Sequence, residues 1–125
     1  MPIGSLVQND DWSFKITVND SSGNGQDITG GTVWLTFKQD PKTQDDAAAD
    51  FQTTNVNIQP GDEPGDDPAN GIVYLRVASD TSGLGSTDMA VGSYQFDVQY
   101  KDPVGVVATL ELGSVSVVQE VTRNV

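Results

Sequence analysis

The chain of 125 residues contains neither cysteine nor histidine. Without cysteine it has no disulfide, no thiolate metal site and no cysteine nucleophile, which is compatible with a reducing cytosol. Without histidine it lacks imidazole ligands, the usual general base near neutral pH, and any Ser-His-Asp triad. These two absences argue against an enzyme, and no cofactor is expected.

Basic residues are also scarce, because six Lys and Arg stand against 18 Asp and Glu, for a net charge of −12. Such a chain is repelled by phosphate backbones and anionic membranes, so we expect neither nucleic acid nor membrane as a partner. The partners compatible with this charge are neutral or basic protein surfaces, divalent cations and other subunits. Alternatively, the charge serves only to keep the protein soluble. No window approaches 18 apolar residues, and the opening "MPIGSLVQNDDW" lacks the basic and apolar regions of a signal peptide.

What the sequence does have is alternation of apolar and polar residues with a period of two. In "WSFKITV" the apolar side chains share one face, as in a half-buried strand. About seven such segments with turn signals every 8–12 residues predict an all-β, single antiparallel sandwich of immunoglobulin-like type, with at most short helical turns at 40–51 and 79–88. The predicted strands are 12–18, 32–39, 52–59, 72–78, 93–100, 106–112 and 114–122, within one domain of residues 1–125.

Two of the connections carry clear turn signals. Residues 19–27, "NDSSGNGQD", are rich in turn formers and predict a hairpin loop between the first two strands. Residues 101–105, "KDPVG", predict a tight turn, with proline and glycine at favoured positions.

A tyrosine corner is predicted in "STDMAVGSYQFDV", where Tyr94 is the second residue of a strand that follows a turn. Its hydroxyl would bond a nearby backbone group while its ring packs in the core, and Phe96 would take the place of an antibody cysteine. Tyr94 could alternatively be one more inward aromatic residue.

The acidic stretch "PGDEPGDDPANG", residues 60–71, raises the question of a calcium site. Asp62, Glu63, Asp66 and Asp67 form two carboxylate pairs that could hold a hard cation if they folded toward each other. An EF-hand needs alternating ligands and a final glutamate, which are missing here. We therefore favour a solvated connection between two strands, with calcium as the minor alternative.

Aromatic residues offer a second candidate site. Trp34, Tyr74 and Tyr100 could be exposed and stack on sugars, although core packing is the better interpretation in a sandwich. A third candidate is the segment 1–9, an apolar arm with Ile3, Leu6 and Val7. We expect it either to join the edge of its own sheet or to clip onto a neighbouring subunit by strand addition.

The segments "NDDWSFKITVND" and "DITGGTVWLTFK" resemble the opening of small β-sandwich proteins in tailed bacteriophage virions. "VGSYQFDVQYKDPVGVVATLELGSVSVVQEVTR" resembles their closing half, with G-x-Y-x-(Y/F)-D, TL-x-x-G and a final D-V-T-R in which Glu120 replaces the aspartate. The resemblance extends over about residues 9–123 and is weakest over 39–70. Similar patterns occur in the N-terminal domains of upper baseplate proteins.

This resemblance implies a non-enzymatic structural protein of the virion, assembled in the host bacterial cytoplasm, and no catalytic residue. It favours a capsid decoration or cement protein that binds the major capsid protein, as a homo-oligomer. One alternative is a baseplate or tail component. Another is an immunoglobulin-like carbohydrate-binding or adhesion module.

Overall fold

The computed structural model describes residues 5–39, 51–79, 87 and 89–119. In this part of the chain the structure consists of strands, with one short 3₁₀ turn at Pro68–Asn70, and contains no helix that could cross a membrane. The strands are β1 (Ser5–Val7), β2 (Trp12–Thr17), β3 (Thr32–Lys38), β4 (Phe51–Val56), β5 (Ile72–Val77), β6 (Gly92–Lys101) and β7 (Val107–Val118).

The strands form two sheets that pack face to face. The five-stranded sheet has the order β1-β7-β6-β3-β4, and the two-stranded sheet pairs β2 with β5. β1 joins β7 in parallel, and the other pairs are antiparallel. This strand order is that of an immunoglobulin-like β-sandwich, so the predicted fold class is confirmed.

An aromatic cluster fills the space between the sheets. Trp12 and Phe14 of β2 point inward, and the rings of Phe37 and Phe51 stack with centroids 4.9 Å apart. Phe37 lies opposite Phe51 on one side and Phe96 on the other, which joins three strands through one ring. Aromatic pairs of this kind stabilise the fold beyond the area they bury.

Tyr94 has the geometry of a tyrosine corner. Its hydroxyl donates a hydrogen bond to the carbonyl oxygen of Ala90 at 2.6 Å, and the residue is only 3% exposed. Phe96, two residues later, lies in the core beside Phe37. The hydrogen bond ties the start of β6 to the segment before it, as expected for this motif.

The prediction of two separate strands at 106–112 and 114–122 is wrong. As far as Val118, these residues form the single strand β7. Gly113, taken from the sequence as a break, continues the strand opposite Phe96. A Cβ at this position would lie 2.6 Å from Cε1 of Phe96, so glycine makes room for the ring. The register shifts between Val98 and Gln99, which leaves Leu110 as the extra residue of a bulge. The seventh strand is β1, within the segment that the sequence left as an arm.

The predicted hairpin at 19–27 does not join neighbouring strands. β2 pairs with β5, so the connection from β2 to β3 carries the chain from one sheet to the other. A small turn does exist inside it, where Asn19 and Gly25 form a bridge. The predicted helical stretch at 40–51 lies outside the described residues except for Phe51, which begins β4, and most of 79–88 also lies outside them.

Candidate docking surface

The hairpin between β6 and β7 exposes three valines, which we call the apolar hairpin. Val104 is 89% exposed, Val106 64% and Val107 53%. The turn at 101–105 was predicted, and here a carboxylate holds it. Oδ1 of Asp102 accepts hydrogen bonds from the backbone N–H groups of Val104, Gly105 and Val106 at 2.8–3.0 Å.

The second part of the surface is the outer face of the five-stranded sheet, made by the side chains of that sheet that point away from the core. Most of them are serine, threonine and glutamine. Trp34 lies half-buried on β3, next to the edge strand β4, between Thr54 of β4 and Gln99 of β6. Toward the edges, Val56 is 70% exposed and Leu112 74% exposed.

Exposed apolar side chains are distributed unevenly between the two sheets. The large hydrophobic residues with high exposure lie on this outer face, in the apolar hairpin, or just before β6, and none of those in the described part of the chain lies on β2 or β5. They are Val56, Val91, Val104, Val106, Val107, Leu112 and Val118. Exposed apolar surface concentrated on one side is typical of a protein-binding surface.

Charge is also divided unevenly. Of the 18 acids, only Asp97 and Glu111 lie in the seven strands, whereas four of the six basic residues do. Those four are Lys15, Lys38, Arg76 and Lys101. The strands are therefore close to neutral, and the negative charge resides in the rest of the chain.

The acidic segment 60–71 crosses from β4 in one sheet to β5 in the other, as a connection between two strands. Each of its acids has its own local partner. Asp62 accepts from the backbone N–H of Gln59 at 2.9 Å, and Asp66 accepts from the backbone N–H of Tyr74 at 2.8 Å. The other two pair with Asn70 (Asp67) and Arg76 (Glu63).

The described residues contain no cluster of three or more acids that could hold a metal ion. The structure thus gives these carboxylates a structural use and does not support the calcium alternative. The hydrogen bond from the N–H of Tyr74 to Asp66 attaches the loop to the start of β5. This contact was not predicted from the sequence, because the two residues are eight positions apart.

Of the three candidate sugar-stacking aromatics, Tyr100 is buried, and Trp34 and Tyr74 are half-buried. Tyr100 is 4% exposed, and burial, followed by the nearby carboxylates of Asp102 and Asp27, raises its pKa above the ordinary value. The Arg76 guanidinium lies 4.5 Å over the ring centroid of Tyr74, and Gly65 packs against the same ring. Trp34 is likewise half-buried and lies on the outer face of the five-stranded sheet.

The described part of the N-terminal arm, which contains β1, adds to its own sheet, the first of the two positions left open by the sequence. Leu6 lies opposite Val117 and packs against the core. The backbone carbonyl of Val7 accepts the indole N–H of Trp12 at 2.9 Å. Leu6 is therefore no longer an interface candidate, and Ile3 lies outside the described residues.

No family model matches this chain, and no curated protein matches it. Among solved structures it is similar to the SrpA adhesin R347E mutant from Streptococcus sanguinis, at 13% identity over 94% of this chain and 55% of that one, with a TM-score of 0.43. It is also similar to murine CRIg, at 13% identity over 95% and 93% of the two chains, with a TM-score of 0.40. The chain thus spans about half of the adhesin. Because both similarities are remote, the fold assignment rests on the strand order itself.

Proposed function

We propose that this chain is a non-enzymatic structural protein of a tailed bacteriophage particle that docks onto another virion protein through the apolar hairpin. The observation that supports it most directly is the exposure of Val104, Val106 and Val107 on a turn held by Asp102. The sequence resemblance supplies the virion setting. The major capsid protein is the partner that we favour, and a baseplate or tail subunit is the alternative.

The hairpin suits docking because it is already ordered. A loop that must be immobilised on binding loses conformational entropy, whereas the three hydrogen bonds to Asp102 fix this turn beforehand. Burying one valine side chain contributes about 1.5–3 kcal/mol. The acidic segment 60–71 begins at the same end of the sandwich as the hairpin, because Thr32 pairs with both Val56 and Lys101. The partner surface around the hairpin is therefore expected to be neutral or basic.

Co-sedimentation with phage particles, or with the isolated major capsid protein, tests this proposal. We expect the double variant Val104→Ser and Val106→Ser to bind about 100-fold more weakly, corresponding to about 2.7 kcal/mol. Val91→Ser is the matched control, since Val91 is also exposed, at 55%, but lies at the opposite end of β6. Equal binding by the double variant and the control would reject docking through the hairpin.

A second candidate, a carbohydrate-binding or adhesion module, is favoured by the surroundings of Trp34. Its half-buried ring lies between the hydroxyl-bearing Thr54 and the amide-bearing Gln99, and aromatic rings beside such groups suit stacking on sugars. Saturable glycan binding that is lost in Trp34→Ala would favour this candidate, whereas a purely structural virion protein binds no sugar.

A further inference from the structure

We propose that the outer face of the five-stranded sheet binds the same face of a second copy of this chain, giving a two-fold symmetric dimer. This inference does not depend on the virion setting or on the apolar hairpin. It rests on the observation that weak charge and exposed apolar side chains occur together on this face.

The charge distribution selects this face for a second copy. Any dimer joins two chains of −12, and a two-fold contact brings the same patch of both copies together, so the net charge of the patch acts on itself. On the outer face the described strands contribute one acid, Asp97, and two lysines, Lys38 and Lys101. Two copies can therefore meet here without the repulsion that the acidic loops would cause.

The two-stranded sheet does not offer an equivalent surface. Its outward side includes Lys15 and Arg76, but Arg76 already pairs with Glu63 of the acidic segment, and Asp66 bonds the backbone of the same strand. It also lacks large, highly exposed hydrophobic residues in the described part of the chain.

The outer face carries exposed apolar side chains that a dimer contact would bury. Trp34 lies on β3, between β6 and the edge strand β4, and tryptophan is a residue type that commonly carries much of the binding energy of a contact. Val56 and Leu112 lie toward opposite edges with more than two thirds of their surface exposed. Gln52 and Thr36 share a hydrogen bond of 3.1 Å between neighbouring strands, which holds part of the polar surface in place.

The size of the face is also adequate. Five strands at a spacing of about 4.8 Å, each rising about 3.3 Å per residue, give a face of roughly 500 Å² in projection. A standard interface takes about 800 Å² of accessible surface from each partner, and pleating and side chains raise the accessible area above the projected one.

Sedimentation velocity of the purified full chain tests the dimer. We expect a concentration-dependent species of twice the 13.3 kDa chain mass. The double variant Thr54→Asp and Gln99→Asp places two acids beside Trp34, and we expect it to dimerise at least tenfold more weakly. The matched control is Ser13→Asp with Thr17→Asp, which adds the same charge to exposed positions of β2.

Leu112→Asp is a second test variant, chosen because its side chain is so exposed that the fold tolerates the change, and we expect it to dimerise more weakly as well. Circular dichroism establishes that each variant is folded. A wild-type chain that stays monomeric to about 1 mM overturns the proposal. Equal weakening by the control, or no weakening by either face variant, places the contact elsewhere and also overturns it. Particle co-sedimentation is measured separately, so failure of the dimer leaves the hairpin proposal standing.

Discussion

At the scale of single residues, position 113 requires glycine because a neighbouring side chain leaves no room for a Cβ atom, and not because the backbone is strained. It continues β7 opposite Phe96, whose ring occupies the space that a Cβ would need. Gly31 has a similar relation to Tyr100, because a Cβ there would lie 2.5 Å from Cε1 of that ring. In both cases glycine lets a buried aromatic ring approach the neighbouring backbone.

We therefore expect Gly113→Ala to lower the free energy of unfolding by about 1–3 kcal/mol, through overpacking against Phe96. Urea denaturation measures this. Ser114→Ala, the next residue on the exposed face of the same strand, is the control and should change stability by less than about 0.5 kcal/mol. Combining Gly113→Ala with Phe96→Leu should recover part of the loss, and strictly additive losses would show that the ring is not the cause.

At the scale of elements, β7 and its hairpin differ from the other strands. β7 pairs with β6 along its length but with β1 only at Ser116–Val118, so its first half forms a sheet edge among the described residues. The bulge at Leu110 interrupts this edge, which is a common protection against uncontrolled strand pairing. The carboxylate of Asp102 then fixes the turn that joins the two long strands.

We expect Asp102→Ala to speed amide hydrogen exchange at Val104, Gly105 and Val106 by about fivefold or more, because each loses a bond worth about 1 kcal/mol or more. Asp20→Ala is a matched control, since the carboxylate of Asp20 holds a different surface loop through the N–H groups of Ser22 and Asn24. Exchange in the hairpin that rises equally in both variants, or in neither, would contradict a local role for Asp102.

At the scale of the whole molecule, the acidic residues are concentrated outside the strands. The strands are nearly neutral, while the net −12 resides largely outside them. Mutual repulsion of the acids opposes the compact state, and dissolved salt screens it over a distance of about 8–10 Å at physiological ionic strength.

Raising NaCl from about 10 mM to about 150 mM should therefore stabilise the folded chain. The urea midpoint at fixed pH 7 measures the effect, and potassium chloride serves as a control for ion identity. A midpoint that falls with added salt would mean that attractive ion pairs, such as the one between Arg76 and Glu63, outweigh the repulsion.

The alternation of apolar and polar residues predicted the strands that have one face packed against the core. β2, β3, β5 and β6 begin and end within one or two residues of the predicted bounds, because burying one face of a strand imposes a period of two on its sequence. The tyrosine corner was predictable for a similar reason, since Tyr94 and its acceptor Ala90 are only four residues apart.

Contacts between distant residues were not predictable in this way. The turn formers at 19–27 indicate a turn correctly, but whether a turn joins paired strands depends on where the next strand lies in space. From the sequence, Gly113 is interpreted as a break between strands, but in the structure it continues β7 opposite Phe96. Leu6 is interpreted as an unpaired apolar residue, but in the structure it lies opposite Val117. For the candidate surface, the three valines of the hairpin can be read from the sequence, but their exposure cannot be predicted from it.

The sequence alone therefore determined the all-β class, the inward faces, the acidic character and the lack of cysteine and histidine chemistry. These follow from composition and from short-range periodicity, which need no knowledge of partners along the chain. The tertiary structure decided which strands pair, that the arm closes on its own sheet, and that exposed apolar and weakly charged surface gathers on one side. Each of these depends on residues far apart in sequence that become neighbours only when the two sheets pack together.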